Sequence, residues 1–473
     1  MRMTRRRADC HRPRHAALAI VMALLAGCST ARPWINAPLQ PGTVVAYDGI
    51  RPFSDPSRAG DLLVVASFSG GGSRAAAFAH ATLSEIEART FEWEGVTTSL
   101  AQEIDMVTGV SGGSVAAAHF ALHGLQAHLA RFPQDFLEVD FQGRLLGEAL
   151  SPAGLQRLSS PWQGRGHLLA DALDDQLFAG ATFGHLTELP GRAYLIVGAT
   201  DLANGSEFDF ASDQFSFLCS SIDEVPLSFA VAASSAVPLV FSPLTLQNHS
   251  DSCPAPEGHA KAVAAADATA RARLVQSEVE SLGRAERRYV HLVDGGVSDN
   301  LGLRRIADYV VQAGGIRAVL ELLSAGESAG VRIPRRVVFL SVNSETRAPP
   351  DFESSAEVPG TLDVLGALIK GNLGRHSRET ALVFDDAIEQ WRTDLRRDGA
   401  DVDIFRIEVN LHGLEDVALR ERVLAIPTAF RITEDDRELL RVAARSALDE
   451  SVEMRRFLQS VPRHVPAASP PAE

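Results

Sequence analysis

Apolar residues along this chain fall into blocks of two kinds. Leu62–Phe68 (LLVVASF) is an unbroken apolar run, as in a strand buried on both faces. Ala75–Ala88 follows with the spacing of a helix. The alternation then repeats. Glu103–Val110 (EIDMVTGV) reads as a strand, Ser114–Leu125 as a helix and Ala193–Leu202 (AYLIVGATDL) as a third strand. Val290–Gly296 (VHLVDGG) and Arg335–Asn343 (RRVVFLSVN) read as further strands. This rhythm predicts an α/β domain with a mostly parallel central sheet flanked by helices. Arg378–Leu395 reads as an amphipathic helix packed on that sheet, and no internal repeat is visible.

Two segments depart from the pattern. Residues 253–288 are rich in alanine and charge and read as an exposed helical insertion, either a solvated surface element or a mobile lid. The ends are also different. Arg2, Arg5, Arg6, Arg7, Arg12 and Arg14 precede a short apolar stretch, Ala16–Gly27, too short to span a bilayer. This predicts a signal peptide over residues 1–27. Its last residues with Cys28 (LAGC) resemble the lipobox of bacterial lipoproteins, which implies cleavage before Cys28 and a diacylglycerol on its sulfur. An ordinary export signal followed by a chance cysteine is the alternative. Ser29 after the cysteine favours the outer membrane, facing the periplasm. Residues 28–60 are expected to form a tether, 61–460 the folded domain, and 461–473 a disordered tail.

Charge narrows the partners. The formal net charge is −15. Removing a signal with six arginines and Asp9 takes it to about −20. Nucleic acid is a poor partner for such a chain, and membrane contact is expected from lipid and apolar surface. Of the four cysteines, Cys219 and Cys253 remain once Cys10 and Cys28 are accounted for. In an oxidising compartment they are expected to form a disulfide, with two free thiols as the alternative. No Cys/His cluster has metal-ligand spacing, so no metal is expected.

Three strings carry candidate chemistry. In Gly109–Gly113 (GVSGG) a serine stands between a strand and a small-residue helix, with glycine two places to either side. A sharp strand-to-helix turn of this kind presents Ser111 as a nucleophile, and Gly109 and Gly113 relieve its crowding. A glycine-rich phosphate-binding turn is the competing reading. In Ser69–Arg74 (SGGGSR), Gly70, Gly71 and Gly72 allow backbone amides to converge as an oxyanion hole. Arg74 beside them would support the loop, attract an anionic head group, or form a structural salt bridge. In Asp294–Gly296 (DGG) a carboxylate ends a strand, where Asp294 could take the serine proton. Asp299 and Asn300 read as turn or helix-capping residues.

Order and context of these strings resemble the patatin-like phospholipases over roughly residues 60–305. DGGVSDNLG and Ala232–Phe241 (AASSAVPLVF) match further family segments. The resemblance implies a three-layer αβα fold and a Ser-Asp dyad without histidine, with Ser111 as nucleophile and Asp294 as base. It implies no cofactor and hydrolysis of carboxylic esters of lipids, and the expected membrane anchor favours a membrane lipid as substrate. Ala81 departs from the family's frequent glycine, and the 253–288 insertion is not a core feature.

Two other readings remain. One is an α/β-hydrolase with a Ser-His-Asp triad, for which His376, His412 and His464 follow Asp294 in the required order. The other is a non-catalytic lipoprotein scaffold. Phe215, Phe217, Phe229 and Phe241 line an acyl pocket or belong to the core.

Overall fold

A computed structural model of the chain describes residues 32–40, 61–253, 270–284, 286–324, 333–346, 352 and 356–461. The expected signal peptide, Cys28, His464, the tail from residue 462 and residues 254–269 of the insertion lie outside them.

The first strand, β1 (Leu62–Phe68), shows how the core is arranged. Leu62, Val64, Ala66 and Phe68 enter one apolar cluster, and Leu63 and Val65 enter a second on the opposite face. A strand flanked by two cores must be apolar at every position, which is why the run is unbroken. A small hairpin, β2 (Thr90–Trp93) and β3 (Val96–Ser99), stands apart from the main sheet. The remaining strands are β4 (Ile104–Val110), β5 (Tyr194–Asp201), β6 (Glu207–Phe210), β7 (Leu244–Gln247), β8 (Tyr289–Asp294), β9 (Arg336–Asn343) and β10 (Asp403–Asn410). They build one sheet in the order β10-β9-β1-β4-β5-β8-β7, with β6 also paired to β5.

The first five strands of that order are parallel. β6 and β8 run antiparallel to β5, and β7 antiparallel to β8. The Asp294 strand therefore ends the other way up from its neighbour, with Asp294 opposite Ala199.

Helices Gly72–Glu87, Gly112–His123 and Glu434–Glu450 cover the larger core. Arg304–Gln312, Ile316–Ser324 and the long helix Thr361–Arg397 cover the second. The amphipathic stretch expected at 378–395 lies in this last helix. Phe384, Ile388, Trp391 and Leu395, spaced three and four apart, face the sheet. Phe215, Phe217, Phe229 and Phe241 are all buried in the larger core, so they pack the domain.

Two expectations change, and the expected disulfide is met. Residues 32–40 lie against the domain instead of trailing from it as a tether. Trp34 meets Phe229 edge-on at 4.7 Å, Asn36 bonds the Gln247 backbone, and Leu39 N–H donates to the Cys219 carbonyl. The insertion helix Ala270–Leu282 is not an exposed element, because Ala272, Val275 and Leu282 are buried. Arg271 ties it to Asp308 on the Arg304–Gln312 helix at 2.7 Å. Finally, Cys219 and Cys253 form the disulfide.

Candidate active site

Ser111 stands where β4 turns into the Gly112–His123 helix. Its backbone lies at φ 50°, ψ −125°, a left-handed value that costs a side-chain-bearing residue about 1–3 kcal/mol. The turn holds this conformation with several bonds. Ser111 N–H donates to Ser234 Oγ at 2.8 Å, and Ser234 in turn donates to the Gly198 carbonyl at 2.5 Å. Ser114 Oγ donates to the Ser111 carbonyl at 2.6 Å. Glycine is required on both sides. A Cβ at Gly109 would stand 2.6 Å from Ser114 Cα, and one at Gly113 would overlap the Phe68 and Ser69 carbonyls.

The two chemical groups meet. Ser111 Oγ donates to Asp294 Oδ2 at 2.8 Å, while the Gly296 amide donates to Asp294 Oδ1 at 2.8 Å. Backbone bonds fix the aspartate from behind, Asp294 N–H to the Ala236 carbonyl and Gly295 N–H to the Ser234 carbonyl. Burial raises the Asp294 pKa from 3.8 to about 6, and the Ser111 and Gly296 bonds hold it from rising further. At neutral pH the group is an ionised carboxylate with the basicity of a proton acceptor. The Gly112–His123 helix starts at the serine, so its N-terminal dipole favours negative charge there.

No histidine among the described residues hydrogen-bonds Ser111 or Asp294. His291 is exposed on β8 and bonds Thr245 at 2.9 Å. His376 lies on the Thr361–Arg397 helix, and His412 in the short turn after β10.

The glycine loop lies against the serine, close enough that a Cβ at Gly70 would stand 3.3 Å from Ser111 Cβ. Its three amides are not equivalent. Gly70 N–H donates to the Asn300 carbonyl at 2.9 Å and is not free for an oxyanion. The Gly71 and Gly72 amides have no acceptor among the described residues. Of the three amides expected to form an oxyanion hole, that of Gly70 is therefore occupied. Gly72 begins its helix at φ 63°, and Ser73 N–H is bonded to the Ala429 carbonyl.

Arg74 is buried and clamps this loop. Its Nε donates to the Ser344 carbonyl at 3.0 Å and a terminal nitrogen to the Ile426 carbonyl at 2.8 Å. Burial lowers its pKa to about 10, with Glu345 opposing the shift. At 3% exposure it cannot reach a lipid head group. It is a loop support, held by backbone carbonyls. Asp299 accepts from the Leu301 and Arg304 amides and so closes the turn before the Arg304–Gln312 helix, the turn role expected of it.

Ser234, the Asn300 carbonyl, Ser344 and Ala429 complete the site and were not assigned from the sequence. The match of AASSAVPLVF to a family segment was the one available signal for Ser234.

The family model for patatin-like phospholipases matches residues 66–306, which contain the serine, the aspartate and the glycine loop. The chain belongs to the patatin-like phospholipase family. Membership carries with it lipid acyl hydrolysis as the class of activity. Among solved structures, the chain is similar to human GIVD cytosolic phospholipase A2, with 12% identity and a TM-score of 0.41. That match covers 96% of this chain and 67% of the other. The same human enzyme in complex with methyl gamma-linolenyl fluorophosphonate and terbium chloride matches at 12% identity and TM-score 0.37. It covers 85% of this chain and 59% of that one. No curated protein matches the sequence.

Proposed function

We propose that this patatin-like chain hydrolyses carboxylic esters of membrane lipids through a Ser111–Asp294 dyad. The observation that carries the reading is the 2.8 Å hydrogen bond from Ser111 Oγ to Asp294 Oδ2. Asp294 takes the serine proton as Oγ attacks the acyl carbon, forming a tetrahedral intermediate. The Gly71 and Gly72 amides receive its oxyanion. Collapse expels the alcohol, a lysolipid or glycerol derivative, which leaves with the proton held by Asp294. Water then attacks the acyl-serine with Asp294 again as base, releasing the fatty acid. Ser111, Asp294 and the backbone amides supply every group that this scheme uses.

The same reading places the chain in the bacterial cell envelope, anchored through a lipidated Cys28 at the outer membrane. LAGC at residues 25–28 supports that placement.

The experiment is active-site labelling followed by turnover. A fluorophosphonate should add to the peptide bearing Ser111, and the unlabelled chain should release fatty acid from phospholipid vesicles. Absence of both, with an intact fold, would leave the chain a scaffold.

A further inference from the structure

We propose that the face formed by Phe141–Leu158, Trp162 and the 237–241 turn docks on a phospholipid bilayer and brings it to the Ser111 site. The proposal builds on the lipid-hydrolase reading of Ser111 and Asp294. Three independent observations support it.

The first is exposed apolar surface on elements linked to the Ser111 site. Leu146 (57%), Leu150 (73%) and Leu155 (55%) are exposed on consecutive helices Phe141–Leu150 and Pro152–Leu158. Leu146 and Leu150 are one helical turn apart and share a face. Trp162, Leu239 and Val240 continue the surface, each more than 40% exposed. Leu239 lies at φ 74°, a conformation costly for leucine, and an Arg165 guanidinium nitrogen secures it by donating to its carbonyl at 3.0 Å. The turn begins just after Ala236, whose carbonyl holds Asp294. Phe430 bridges the face to the oxyanion loop: it meets Phe141 at 6.1 Å and Phe241 at 5.6 Å, and its neighbour Ala429 accepts from Ser73.

The second is charge. Residues 141–165 carry Arg144, Arg157 and Arg165 against Glu148 alone, in a chain whose net charge is −15. Arg144 and Arg165 are exposed. Arg157 is paired with Glu148 and Asp171, so Arg144 and Arg165 are the cations left on the apolar strip to meet anionic head groups.

The third is where the N-terminal segment leads. Residues 32–40 are held on the domain, and the Arg32 guanidinium sits 4.3 Å over the Trp162 ring, on the proposed surface. Cys28 is four residues upstream, so the chain can carry it no further than about 14 Å from Arg32. An anchor there would leave the bilayer against this face, and the two contacts would reinforce each other as paired weak signals do.

The test uses residues 29–473, without the expected signal and Cys28, and a derivative that also carries Leu146→Glu, Leu150→Glu and Leu155→Glu. Sedimentation with mixed phosphatidylethanolamine–phosphatidylglycerol vesicles reads binding, and a soluble p-nitrophenyl ester reads the catalytic centre. The parent should bind, and the triple change should weaken binding by at least about tenfold, since each leucine gives up an apolar contact for a buried charge. Hydrolysis of the soluble ester should be unchanged. A second derivative, Arg144→Glu with Arg165→Glu, should lose binding to these anionic vesicles and not to pure phosphatidylcholine. Equal binding by parent and triple derivative would overturn the proposal, as would a parent that does not bind. A chain that cleaves no ester yet binds vesicles through these leucines would keep the docking face and remove the catalytic reading.

Discussion

Replacing Ser234 with alanine tests whether the strained nucleophile turn is held from outside. Ser234 is fully buried, and its hydroxyl is the acceptor for Ser111 N–H at 2.8 Å. Removing it leaves a buried amide without a partner, which costs about 1–3 kcal/mol. The left-handed backbone of Ser111 stores a similar amount, about 1–3 kcal/mol. The two quantities are comparable, so losing this bond removes a support as large as the strain it opposes. The turn is then expected to relax and Oγ to move off Asp294. A displacement of about 1 Å at a reacting atom is worth up to about a hundredfold in rate. Steady-state kinetics on a short p-nitrophenyl ester should show kcat lower by roughly tenfold to a hundredfold with KM within about twofold. The melting temperature should fall by a few degrees, about 2–4 °C per kcal/mol or less for a domain of this size. A Ser234→Ala chain with kcat within about twofold of the parent and an unchanged melting temperature would refute the reasoning.

Other consequences are as direct. Because the Asp294 pKa is raised to about 6, the base is ionised above that pH and protonated below it. The pH profile of kcat/KM should therefore rise about tenfold between pH 5 and 7 and then level; a midpoint near 4 would show an unperturbed carboxylate. Joint replacement of Cys219 and Cys253 by serine frees a loop with a sequence separation of 34. Denaturant unfolding should show a loss of about 3–4 kcal/mol with kcat retained, and unchanged stability would contradict this. Joint replacement of His376 and His412 by alanine should leave ester hydrolysis within about twofold, whereas a loss above about tenfold would restore the triad reading.

The strands that lead to the glycine loop and to Ser111 were legible because they are buried on both faces, as β1 and β4 are at every position. β10 was not, because it alternates. Its buried Phe405, Ile407 and Val409 are interleaved with Arg406, Glu408 and Asn410 at the sheet's edge, so the segment reads as polar. The helix Ala270–Leu282 was misjudged for a related reason. Its buried face mixes Ala272, Val275 and Leu282 with Gln276 and Ser281, and Asp308, to which Arg271 ties it, is remote in sequence. Ser111, Asp294 and the glycine loop sit in short strings whose glycines are forced by close backbone approach, and such constraints leave a local trace. Ser234 leaves none. Its neighbour Ser235 is also a buried serine, but its hydroxyl has no partner among the described residues, and only the fold distinguishes the two. The Gly70 amide was likewise beyond reach, since its acceptor, the Asn300 carbonyl, is 230 residues away in the chain.

The central claim is that Asp294 is the base for Ser111. The measurement that bears on it most directly is kcat/KM of Asp294→Asn on a soluble ester, beside the parent and Ser111→Ala. Asparagine keeps the size of the side chain and removes its basicity, so both variants should lose at least about a thousandfold while melting as the parent does. An Asp294→Asn chain within about tenfold of the parent, with Ser111→Ala inactive, would mean that another group takes the serine proton.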